Sequence, residues 1–153
     1  MSAVRPTTPS KDIYAEVAAR LGGDKVFPRP VESAIEMARA VRQGLPVEIV
    51  DRMIRDWRFT PEELRTVIAR RTLHHRRQRN EPLHPDEADR AIRIMRVLAL
   101  AERAFGSLDK ANRWLRRPLA GLGGEAPLAL AESEAGARVV ESELDSIAWG
   151  AAA

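Results

Sequence analysis

With cysteine absent, the three histidines are the first candidates for chemistry in this 153-residue chain. His74 and His75 are adjacent, so on a helix they point about 100° apart. A metal-binding pair needs i, i+3 or i, i+4 spacing on one face, and His84 lies beyond a loop. The spacing therefore argues against a zinc site. The run Gly121-Leu122-Gly123-Gly124 lacks the Lys-Ser/Thr and the preceding strand that a phosphate loop requires, and reads as a turn between helices. No Ser-His-Asp or paired-carboxylate constellation stands out. Trp57 and Trp114 fall on apolar stripes and read as core. The chain is read as non-enzymatic, with no cofactor and no metal. An enzyme built on the histidines is the competing class.

The chemistry that does stand out is charge. From Arg52 to Arg79, nine arginines oppose only Asp56, Glu62 and Glu63. From Gly121 onward, Glu125, Glu132, Glu134, Glu141, Glu143 and Asp145 oppose only Arg138. The middle suits a polyanion and the tail does not. Two solvated charged faces would give the same pattern. Arginine suits bidentate contacts to phosphate and guanine, although GC-rich coding produces the same excess over lysine.

Elements must position these groups. Length allows one compact domain, or two small ones sharing a core. Hydrophobic residues at 44% and charged residues at 31% are ordinary for a soluble globular protein. No apolar run approaches the ~20 residues that span a bilayer. Residues 1–10 lack a signal-peptide core and read as a disordered lead, so the expected location is the cytoplasm. Apolar residues at 3-4 spacing predict helices over 11–21, 31–43, 46–57, 60–68, 70–79, 85–105 and 109–116, and a helical turn over 127–131. A last helix, capped by Ser133 and ended by Gly150, carries Val140, Leu144 and Ile147 on one stripe. Sustained alternation is missing, so no sheet is expected and the fold class is all-α.

Two short helices with almost no linker, 60–68 and 70–79, have the layout of a helix-turn-helix. With Leu73 in the core, a rotation of about 100° per residue puts Arg71, His75 and Gln78 opposite it, facing base edges. Arg70, Thr72, His74 and Arg79 flank that face and suit phosphates. Arg76 and Arg77 lie nearer the Leu73 side and read as phosphate or intraprotein contacts. Ala69 stands where a Ser or Asp cap is favoured, and Val67 where such turns often have glycine.

At this point the residues point to a family. Gly44-Leu45-Pro46, Arg71-Thr72-Leu73, Arg76-Arg77 and Leu83-x-Pro85-x-Glu87-x-Asp89-Arg90 resemble the front half of the Xre/ParS/MbcA antitoxins. Ala104-Phe105-Gly106, Ala111-x-x-Trp114-Leu115, Pro118 and Leu122-Gly123-Gly124 resemble their C-terminal toxin-binding domain. Pro127-Leu128, Glu134-x-Gly136, Val140, Leu144, Ile147 and Gly150 continue the match, which covers residues 31–150. Leu119, where asparagine often follows the proline, and Trp149 depart from the pattern, as do Val67 and Ala69.

Residues 1–30, ahead of the match, are expected to form a flexible extension that could carry a short helix. The resemblance implies an Xre-like helix-turn-helix domain over 31–84 and a helical toxin-binding and dimerisation domain over 85–153. It also implies partners: operator DNA, a second copy of the chain, and a RES-domain toxin that resembles ADP-ribosyltransferases and consumes NAD. The final helix would cover the toxin's active site, with Glu134, Arg138, Glu141, Ser142, Asp145, Trp149 and Gly150 as contacts. Exposed Glu141, Glu143 and Asp145 could meet a basic phosphate-binding pocket, with Trp149 as anchor. The alternatives are a helix that merely completes the core, and an antitoxin or stand-alone regulator without autonomous DNA binding.

Overall fold

The computed structural model describes residues 12–152. The expected disordered lead, residues 1–10, lies outside the described residues, as does Lys11. Among the described residues there are eight α-helices and no strand, only one isolated bridge between Leu119 and Glu125.

The first helix, α1 (Ile13–Arg20), is capped by the Asp12 carboxylate, which accepts from the Tyr14 N–H at 2.8 Å. Ser33 caps α2 (Ala34–Gln43), and α3 (Glu48–Trp57) closes on Arg58 in the left-handed region. A short 3₁₀ turn, Glu63–Thr66, leads into α4 (Arg70–Arg79). The long helix α5 (Pro85–Phe105) opens on a capping box. The His84 ring accepts from the Asp86 N–H, and the Glu87 carboxylate accepts from the His84 N–H at 2.7 Å. Then follow α6 (Leu108–Leu115), α7 (Pro127–Leu130) and α8 (Glu134–Ala152).

The spine of the fold is α5. Ala88, Ala91, Ile92, Met95, Val97, Leu98 and Ala101 are buried on more than one side of it, because α1, α2, α6 and α8 all pack against it. One apolar core runs through both halves, from Val17 and Leu21 through Ile49, Met53 and Leu64 to Leu115, Val140 and Leu144. Removing such side chains from water contributes roughly 1.5–3 kcal/mol each. Trp57 and Trp114 pack against this core, as their stripe positions predict. The Trp57 indole N–H also donates to the Arg20 carbonyl at 3.1 Å.

Three expectations are corrected. The segment after residue 12 is no loose extension: Val17 and Leu21 are wholly buried, and Val26, Phe27 and Val31 complete the core beside them. Residues 60–68 do not form a regular α-helix. Thr60 and Glu63 do cap each other reciprocally, as the Thr-Pro-Glu-Glu run suggests, at 2.9 and 3.2 Å. Only one turn follows before Ala69 becomes extended, too short to settle into α-helical bonding. Finally, Gly150 does not end α8, which runs to Ala152; an exposed glycine weakens a helix by only about 1 kcal/mol, and alanines follow it.

Candidate nucleic-acid and partner interfaces

The first interface is α4. Leu73 is buried, and two arginines fix the same side of the helix. Arg76 donates to the buried Glu87 carboxylate of α5 at 3.1 Å, and Arg77 is ion-paired with Asp51 of α3. Both are thus intraprotein contacts. The remaining side chains turn outward: Arg70, Arg71, His74, His75, Gln78 and Arg79 are exposed, and Thr72 is half-buried. All of the sequence-predicted set except Thr72 are thus exposed on α4. Arg79 lies 3.9 Å from Glu81, while Arg70 and Arg71 have no ion-pair partner among the described residues.

The turn before α4 is held from behind. The Arg90 guanidinium on α5 donates twice to the Val67 carbonyl, at 3.2 and 3.0 Å. The Arg116 guanidinium after α6 grips both oxygens of Glu63, at 2.8 and 3.1 Å. Burial pushes the Glu63 carboxyl up, but Arg116 and the Thr60 N–H together hold it below the usual range. Ala69 supplies no side-chain cap to α4, as expected from its type.

The second interface is α8. Ser133 caps it, accepting from the Gly136 N–H at 3.0 Å. Its inner stripe, Ala137, Val140 and Leu144, is buried against α5. Gly136 is dictated by packing: a Cβ there would lie 1.8 Å from the Leu130 carbonyl oxygen. The predicted contact residues divide into two groups. Glu134 and Glu141 turn back onto α5. Arg93 donates to Glu134 at 3.0 Å, Arg96 lies 3.2 Å from Glu134, and Arg96 is also ion-paired with Glu141. Glu141 is therefore half-buried, not the exposed acid expected from composition. Arg96 also donates to the Tyr14 hydroxyl at 3.0 Å, tying α1 to the same cluster. Burial lowers the Arg96 pKa, but Glu141 and Tyr14 raise it further, above the usual arginine value. Burial pushes Glu134 up, but Arg93 and Arg96 hold it below the usual carboxylate range.

The outer stripe is the other group. Arg138, Ser142, Asp145 and Trp149 follow each other at four- and three-residue steps, all exposed, with Gly150 beside them. Val139 flanks them at 51% exposure, and Trp149 is 64% exposed. Large apolar groups presented to water on an ordered helix are the usual material of an interface.

Sequence reasoning missed Arg93 and Arg96, whose three-residue spacing on α5 answers Glu134 and Glu141 on α8, and missed the Arg116–Glu63 clamp.

The class these features define is a helix-turn-helix protein with an appended helical binding domain. Comparison with known proteins agrees. Residues 36–96 match the Antitoxin Xre-like helix-turn-helix domain, and residues 100–150 match the Antitoxin Xre/MbcA/ParS C-terminal toxin-binding domain. Relatives named antitoxin Xre match most of the chain. That of Pseudomonas putida is 33% identical over 90% of this chain and 86% of its own. That of Yersinia enterocolitica is 30% identical over 86% and 84%, and that of Photorhabdus laumondii 30% over 96% and 98%. The chain belongs to the Xre/MbcA/ParS antitoxin family, with a helix-turn-helix DNA-binding domain and a C-terminal toxin-binding domain. Among the described residues, no helix is long and apolar enough to cross a membrane.

Proposed function

We propose that this antitoxin neutralises a RES-domain, NAD-consuming toxin by laying the outer face of α8 over the toxin's active site. Trp149 is the anchor, Asp145 and Ser142 face a basic, phosphate-binding pocket, and Arg138 and Gly150 border the contact. Glu134 and Glu141 support the helix from α5 rather than meeting the toxin first. The observation that carries this reading is the exposed Trp149 at the end of an ordered stripe, in a domain matched as toxin-binding. Functionally, residues 31–84 read DNA and 85–153 bind the toxin and a second copy of the chain, in the cytoplasm and without catalysis. A hot-spot tryptophan is typically worth 2 kcal/mol or more. Trp149→Ala should therefore weaken toxin binding about 30-fold or more, measured by calorimetry with a catalytically inactive toxin. Unchanged affinity would refute the assignment.

We further propose that a homodimer binds the operator of its own operon through α4, with Arg71, His75 and Gln78 at base edges and Arg70, Thr72, His74 and Arg79 at phosphates. Arg71→Ala should reduce operator binding by about 1–3 kcal/mol and relax sequence preference at one position. A gel shift with unchanged affinity and unchanged selectivity would refute the face assignment. A second reading, an antitoxin without autonomous DNA binding, is favoured by the single turn before α4 and its missing cap. Loss of all operator binding by the toxin-free wild-type protein would establish it.

A further inference from the structure

The joint between the helix-turn-helix and α6 carries a second basic surface. A groove there is lined by Arg58, Arg113, Arg116 and Arg117, together with Asp109 and Asn112. The four guanidiniums are not equivalent. Arg58 is ion-paired with Asp109. Arg116 is committed to Glu63, and also donates to the Asn112 side-chain oxygen at 2.7 Å and to the Arg58 carbonyl at 3.3 Å. The Arg113 and Arg117 side chains are exposed and have no ion-pair or hydrogen-bond partner among the described residues. Most arginines of α5 and α8, by contrast, are tied to a carboxylate.

Position gives this excess charge its meaning. Glu63, the residue Arg116 grips, also accepts from the Thr60 N–H, at the start of the first helical turn of the helix-turn-helix. In this motif the first helix crosses the nucleic-acid backbone while the second enters the groove. The Arg116 clamp therefore fixes α6 beside the end of the motif that meets phosphates. Arg65 is exposed on the same turn, and its side chain has no ion-pair or hydrogen-bond partner among the described residues. The turn that leads into α4 is thus tied to the end of α6, a helix inside the domain matched as toxin-binding. We infer that Arg113 and Arg117 are phosphate-binding residues, which extend the operator contact past the helix-turn-helix onto the backbone of the flanking duplex. This inference rests on the reading of α4 as the recognition helix.

Phosphate contacts fix register and affinity without reading sequence, and they make binding salt-dependent. The test uses the full-length protein and two labelled duplexes, one from the region upstream of its own gene and one scrambled, titrated by anisotropy across salt concentrations. Arg113→Ala/Arg117→Ala should weaken binding to both duplexes alike and lower the slope of log K against log salt by about 2. The double lysine variant, which keeps the charges, should restore most of that slope. Rescue from the toxin should be unaffected, as should the melting temperature. An unchanged slope for the alanine variant, with wild-type protein binding normally, overturns this inference and leaves α4 intact. A wild-type protein that binds neither duplex removes the α4 reading and this one with it. Loss of toxin binding with normal DNA binding would instead assign the groove to an acidic toxin surface.

Discussion

At the scale of single residues, the family's motif positions turn out to be contacts. Gly136 admits the Leu130 carbonyl, Glu87 receives Arg76 and caps α5, and Arg90 holds the turn at Val67. Overfilling a packed site typically destabilises by 1–3 kcal/mol, and here the obstacle is backbone that cannot rotate aside. Gly136→Ala should therefore destabilise by at least about 2 kcal/mol in urea unfolding, whereas Gly150→Ala, in open space, should not destabilise. The pH dependence follows from Glu63 and Glu134, both held below the usual range. Between their folded pKa values and the unfolded value of about 4.3, the unfolded chain binds more protons. Their stabilisation is thus fully present above that unfolded value, and is lost as pH falls through the folded ones. Urea midpoints should drop below about pH 4.3, and Glu63→Gln/Glu134→Gln should flatten that drop. These residues were legible as a pattern, but their partners were not. Arg96 and Glu141 stand far apart in sequence, and no local spacing announces a contact that only packing creates.

At the scale of elements, periodicity and capping were legible wherever a helix was long enough to govern itself. The bounds of α4 and α5 follow directly from their flanking breaks, and Ser133 from its capping chemistry. The segment 60–68 failed because its hydrophobic spacing fits a helix, while its length allows one turn that neighbouring Arg90 and Arg116 must hold in place. The same segment explains why α4 begins weakly. Ala69 already has extended cap geometry, at φ −62° and ψ 142°, and lacks only the oxygen. Ala69→Ser should raise stability by about 1 kcal/mol without altering the fold. A lower or unchanged urea midpoint would show that the cap position is blocked.

At the scale of the whole molecule, one core joins the two matched domains, and α5 belongs to both. The division expected at residue 84 falls inside the helix-turn-helix match, which runs to residue 96, and both halves bury side chains against the same spine. Composition revealed an acidic tail and missed that α8 spends Glu134 and Glu141 on α5, because charge counts carry no direction. The helix thus has two faces: its inner stripe completes the core and its outer stripe is exposed. Removing residues 133–153 would strip the core as well as the interface, so point substitutions on the outer stripe separate the two. The direct test is co-expression of the RES-domain toxin with Asp145→Arg/Trp149→Ala antitoxin, in cells whose growth depends on neutralisation. The proposed mechanism predicts a protein that melts within a few degrees of wild type, keeps its operator binding and fails to restore growth. Full growth with the doubly substituted, folded protein would contradict it.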